Sequence, residues 1–248
     1  PWCSRTKAGC VAPRATTSTP PAFPTKPATA FMPPRRDART SMRCASTPPG
    51  RSYSLPAPLP AVRAGPGRAA QAARLTPPPG ASFECVLLPD DDALFVIASD
   101  AGYGFVVKGE DLQAKNKAGK ALLSLPNGSA VVAPRPVRDV EQDWLAAVTT
   151  EGRLLLFKVS DLPQLGKGKG NKIIGIPGER VASREEYLTD LAVLPAGATL
   201  VLQAGKRTLS LKGDDLEHYK GERGRRGNKL PRGFQRVDSL LVDIPPQD

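Results

Sequence analysis

The 248 residues hold one histidine, His218, and four cysteines that never fall as a C-x-x-C pair, so neither a zinc site nor a disulfide framework has ligands at a usable spacing. No nucleophile–base pair can be assembled either, and no catalytic residue or metal ligand is assigned. Aromatic residues make up 5% of the chain, and no apolar run approaches the ~18–20 residues of a membrane-spanning helix. The start lacks the apolar segment of a secretory signal, which leads to an expectation of a soluble, cytoplasmic protein in a reducing setting. Acidic residues are scarce in the first third: residues 1–83 carry twelve Lys/Arg against the single acid Asp37, leaving 23 basic and 23 acidic residues for 84–248. The formal charge of +11 therefore belongs to the first third, and the remainder is close to neutral.

Residues 1–49 are rich in Pro, Thr, Ala, Ser and Arg and show no apolar periodicity. Such a segment buries too little surface to offset its ordering entropy, so disorder is expected there. Residues 50–83 read as the remnant of a repeat and a linker: Arg51–Leu55 alternates like a strand, then Pro56–Ala73 returns to Ala/Pro/Arg/Gly text. From residue 84 to 246 short apolar runs follow one another, each closed by Gly, Pro, Asn or Asp, and no stretch sustains a helical stripe. An all-β domain is expected.

The runs repeat. Ser99–Leu112, Thr149–Leu162 and Gln203–Leu216 each pass through a turn glycine (Gly102, Gly152, Gly205) into a strand ending in lysine (Lys108, Lys158, Lys212) and an acidic-Leu cap. The lysine spacing of 50 and then 54 residues lies in the range of propeller blades. Asp111, Asp161 and Asp215 recur at one place per unit, which suits a turn or cap better than catalysis. Trp144, Phe105, Phe157 and Tyr187 fall inside apolar runs and are expected in the core, whereas His218 is expected at the surface.

After each unit comes a Gly/Lys/Arg connection: Lys115–Lys120, Gly166–Lys172 and Lys220–Lys229. The middle one opens the stretch GKGKGNKIIGIP and has two readings. Its glycines can bring backbone close to a polyanion while its lysines meet phosphates; equally, it can be a solvated basic hairpin connection. It is neither a P-loop nor a dinucleotide fingerprint, because the glycine spacing is wrong and no helix pattern follows. Taken with their repetition, the connections yield candidate phosphate contacts, which the resemblance described next assigns to DNA, at Lys115, Lys117, Lys120, Lys167, Lys169, Lys172, Lys220, Arg223, Arg225, Arg226, Lys229 and Arg232, with Lys206 and Arg207 added from a hairpin turn.

SDAGYGF at 99–105, KAGKALLSLP at 117–126, SDLPQLGKGKGNKIIGIP at 160–177 and GERGRRGNKLPRG at 221–233 resemble the C-terminal domain of the A subunit of bacterial DNA topoisomerase IV, related to that of the gyrase A subunit. The resemblance runs from Leu75 to Pro246 and reappears at Gly50–Pro56. It implies a β-pinwheel, here incomplete, whose blades exchange a strand and whose basic edge binds and bends double-stranded DNA. It also implies a role in ATP-dependent relaxation and decatenation during chromosome segregation. By the same resemblance the chemistry lies elsewhere: this chain has no cofactor of its own, and ATP and magnesium enter through the B subunit of an A2B2 holoenzyme that includes a second A subunit. The glutamine-arginine-arginine-glycine-glycine box of gyrase is missing, and Gly221–Gly227 is at most an echo of it, so bending without strong wrapping is expected. The Ala/Pro/Arg/Gly text of residues 1–49 and 57–73, where a family member carries a blade, has the composition of a GC-rich gene read out of frame. A rival expectation is a propeller-like protein-interaction module with a basic linker.

Overall fold

A computed structural model describes residues 41–47, 50–56, 82–87, 90–116 and 118–244, all within the unit Arg36–Asp248. Expectations placed on residues 1–40 and 57–81, and on Lys117, lie outside the described residues. In chain order the strands are β1 (Ser41–Thr47), β2 (Arg51–Pro56), β3 (Ser82–Leu87), β4 (Leu94–Ser99), β5 (Tyr103–Lys108), β6 (Lys120–Ala121), β7 (Val131–Val137), β8 (Trp144–Thr149), β9 (Arg153–Lys158), β10 (Asn171–Lys172), β11 (Leu188–Leu194), β12 (Thr199–Ala204), β13 (Arg207–Leu211), β14 (Asn228–Lys229) and β15 (Ser239–Asp243). Two short helices, Gly178–Ala182 and Asp214–Glu217, interrupt them. The all-β expectation holds.

The strands make four antiparallel sheets, ordered β3-β1-β2-β6, β10-β5-β4-β7, β11-β8-β9-β14 and β13-β12-β15. Each is built on a tight hairpin, and the second and third show why the sequence runs are apolar throughout instead of alternating. Strands β4, β5, β8 and β9 are buried at four or more consecutive positions, because both faces of each sheet are covered by a neighbour. The two-residue side-chain period then sorts each strand into two cores. Leu145 and Ala147 of β8 pack with Val96, Val106 and Val132 of the second sheet, whereas Ala146 and Val148 pack with Leu200, Leu202 and Leu240 of the fourth. Phe95, Ile97 and Phe105 turn the other way, onto Leu122, Leu123 and Leu112.

Two expectations change here. Ser41–Thr47, in a stretch expected to lack structure, is a strand, with Cys44 opposite Tyr53 of β2 and Val86 of β3. Pairing on both edges supplies what local composition does not. Phe105 and Phe157 are buried as expected, but Trp144 and Tyr187 are only partly covered: Lys158 and Lys220 place their ammonium groups 4.7 and 4.3 Å from the Trp144 ring, and Arg184 lies 4.2 Å from that of Tyr187. His218 is exposed, as expected.

Candidate nucleic-acid interface

Each basic connection carries a two-residue strand that leaves its own hairpin and closes the sheet before it. Strand β6 pairs with β2, β10 with β5 and β14 with β9. The residue before or at the start of each pairing is a glycine in the left-handed region: Gly119 (φ +74), Gly170 (φ +75) and Gly227 (φ +73). A Cβ there would lie 2.7, 2.2 and 2.6 Å from the carbonyl oxygens of Ser52, Gly104 and Leu154. These glycines let backbone meet backbone of the neighbouring sheet, a structural use that the spacing alone did not separate from approach to a polyanion. Arginines help: Arg51 Nη1 donates to the carbonyls of Ala118 and Gly119, and Arg153 Nη1 to that of Gly227.

Successive connections are also joined to one another. Gly168 N donates to Leu122 O at 2.8 Å and Gly168 O accepts from Ser124 N at 2.9 Å. One unit on, Gly224 N donates to Ile173 O at 3.0 Å, and Gly175 N donates to Arg225 O at 2.7 Å. Arg223 Nη1 adds a bond to Lys172 O at 2.9 Å. The three connections therefore form one contiguous series.

Their cations divide by partner. Lys115, Lys167, Lys206, Arg207, Lys229 and Arg232 are exposed and engage no carboxylate among the described residues. Lys169 is likewise free of acids and sits 3.9 Å over the Tyr103 ring. Lys172 is half-buried and contributes its carbonyl to Arg223. Lys120 donates to Asp111 O at 2.6 Å and lies 3.6 Å from its carboxylate, while Lys220 pairs with Glu217. Arg225 pairs with Glu222 at 2.8 Å, both side chains more than 70% exposed, a contact that water and salt screen. Arg226 differs: its Nη2 donates to the fully buried Glu186 at 2.6 Å. Arg180 shares that carboxylate; its hydrogen bond to Glu186 and attraction to Glu151 push its guanidinium further above the usual arginine range. Exposed Arg236, four residues after Arg232 in the chain, is a further cation that the repeat pattern did not single out.

Sheets built on hairpins and closed by a glycine-led strand from the following unit define the propeller-type C-terminal domain of the gyrase A class. A family model described as DNA gyrase C-terminal domain, beta-propeller, matches residues 93–138 and 143–194. The chain is 94% identical over 200 residues to the A subunit of DNA topoisomerase 4 from Pseudomonas aeruginosa, covering 80% of this chain and 26% of that protein. It is 49% identical over 197 residues to the Escherichia coli K12 protein of the same name, covering 79% and 26%. The chain thus spans about a quarter of the length of these curated relatives. The solved E. coli ParC C-terminal domain aligns with a TM-score of 0.75 at 45% identity over 83% of this chain and 82% of that one. The gyrase A C-terminal domain, with a TM-score of 0.62 at 12% identity over 83% and 66%, shares the fold. The chain belongs to the family formed by the C-terminal domains of topoisomerase IV A subunits.

Proposed function

We propose that the contiguous connections form a sequence-independent surface for double-stranded DNA, and that the domain captures and bends DNA for topoisomerase IV. In this reading it serves ATP-dependent relaxation and decatenation during chromosome segregation, in the cytoplasm and on the chromosome. Strand cleavage belongs to other parts of the A subunit, with ATP and magnesium supplied through the B subunit in an A2B2 assembly. The observation that supports it is the joined series of connections, which presents Lys115, Lys167, Lys169 and Lys229 without neutralising acids among the described residues. Such groups position a duplex through its phosphates and carry no code for base edges. The protein-interaction reading needs an apolar or aromatic patch. The exposed large hydrophobics among the described residues are Leu165 and Ile244, each 37% exposed, which is too little for one.

A gel-shift titration decides between them. Charge reversal at Lys167, Lys169 and Arg225 weakens duplex binding by about tenfold or more at low salt and flattens its salt dependence, since each phosphate contact contributes a slope near 0.9. Unchanged affinity removes the DNA reading.

A further inference from the structure

Four side chains close a square of charge where the last basic connection meets the turn between β8 and β9. Glu186, fully buried, sits on the segment leading into β11. Its Oε2 accepts from Arg226 Nη2 at 2.6 Å and from Arg180 Nη1 at 3.3 Å, and its Oε1 accepts from Thr149 Oγ1 at 3.4 Å. Glu151, in the turn, completes the square at 2.6 Å from Arg180 Nη1 and 3.8 Å from Arg226 Nη2. Arg226 Nη1 also donates to Gly175 O at 3.4 Å. Two carboxylates face two guanidiniums, and a third carboxylate, that of the exposed Glu185, lies 3.9 Å from Arg180 Nε on the outer side.

We infer that Glu186 is a positioning residue that withholds Arg226 from nucleic acid, and so fixes which cations of the last connection meet phosphate. The inference rests on the DNA reading above and sharpens it. To reach a phosphate, Arg226 would have to leave a carboxylate that has no access to water. Its departure would leave the buried Glu186 with only the longer contact to Arg180 at 3.3 Å, an unfavourable loss where no water can replace it, whereas a phosphate contact at an exposed surface is screened.

The preceding connection provides the matched comparison. Lys169 stands immediately before Gly170, as Arg226 stands immediately before Gly227, and the two glycines dock in the same way with φ of +75 and +73. Lys169 rests on an aromatic ring and stays exposed; Arg226 is captured by two acids. Sequence makes the two positions equivalent, but their surroundings make one available and the other not. Arg225, one residue away, points to the surface, where its side chain pairs among the described residues with the exposed Glu222.

The full chain is titrated with a short duplex by fluorescence anisotropy at several salt concentrations. Lys169→Gln lowers the slope of log affinity against log salt by about 0.9, Arg226→Gln leaves it unchanged, and Glu186→Gln raises it by about 0.9 as Arg226 is released. A drop for Arg226→Gln equal to that of Lys169→Gln overturns the inference. If Glu186→Gln does not fold, the comparison of the Lys169 and Arg226 variants still decides. A second measurement needs no DNA: phenylglyoxal labelling read by mass spectrometry modifies Arg225 and Arg232 before Arg226, and equal rates overturn the inference. A wild-type protein that does not bind the duplex refutes the DNA reading, and the labelling result then judges the shielding of Arg226 by itself.

Discussion

Asp190 and Arg135 meet at 2.6 Å across the boundary between two sheets. Arg135 belongs to β7 and Asp190 to β11; the second carboxylate oxygen of Asp190 accepts from Leu240 N of β15 at 2.9 Å. Arg135 Nε adds a bond to Leu191 O at 2.7 Å. One carboxylate therefore ties three successive sheets, at a point where the β11–β8 register shifts between Leu188 and Asp190. Both partners are largely withdrawn from water, with side chains 17% and 10% exposed, so removing either one leaves its mate uncompensated. Asp190→Ala and Arg135→Ala are each expected to destabilise the domain by about 3–5 kcal/mol in urea unfolding. The double variant loses much less than the sum, which a double-mutant cycle measures.

Strand exchange makes a second, local prediction. Gly170 has φ +75 and faces the Gly104 carbonyl, whereas Gly205, in the β12–β13 turn, has φ +60 and nothing within 4 Å of its missing Cβ. Alanine at Gly205 meets only the left-handed backbone penalty of about 1–2 kcal/mol. At Gly170 it adds a clash with Gly104 O at 2.2 Å, which can be relieved only if β10 withdraws from β5. Gly170→Ala is expected to lose at least about 2 kcal/mol more than Gly205→Ala in chemical unfolding. Equal losses would mean that the exchanged strand contributes little to the sheet.

The hairpins were legible in the sequence because each is a local event: two apolar runs, a turn glycine and a spacing near fifty residues. The exchange was an expectation of the family resemblance alone and left no local pattern. Strands β6, β10 and β14 are two residues long, too short for any period, and their partners lie more than fifty residues upstream. The same Gly/Lys text therefore read as solvated connection or phosphate loop, when Gly119, Gly170 and Gly227 serve the contact between sheets. Charge was legible as a total but not as availability. Arg226 looked like its neighbours in the run, and its acids, Glu151 and Glu186, come from segments 75 and 40 residues away. The Asp190–Arg135 tie was equally invisible, since 55 residues separate its two ends.

Alkaline pH probes the core under the last connection. Tyr219 is 6% exposed and packs among Leu154, Leu156 and Leu200, with the His218 ring edge-on at 5.0 Å. Burial, and then repulsion from the nearby Asp215 carboxylate, push its phenol above the ordinary value of 10.0. The folded state thus favours the neutral phenol and keeps a proton that the unfolded chain has released. Stability from this source is fully present below about pH 10 and falls as pH rises through the folded value, because the unfolded state then binds fewer protons than the native one. Thermal melts between about pH 8 and pH 11 are expected to show wild type losing stability more steeply than Tyr219→Phe in the upper part of that window. Every other group is common to both proteins, so the difference between the two curves isolates this one phenol. Parallel curves would mean that the Tyr219 hydroxyl reaches water as freely in the folded chain as in the unfolded one.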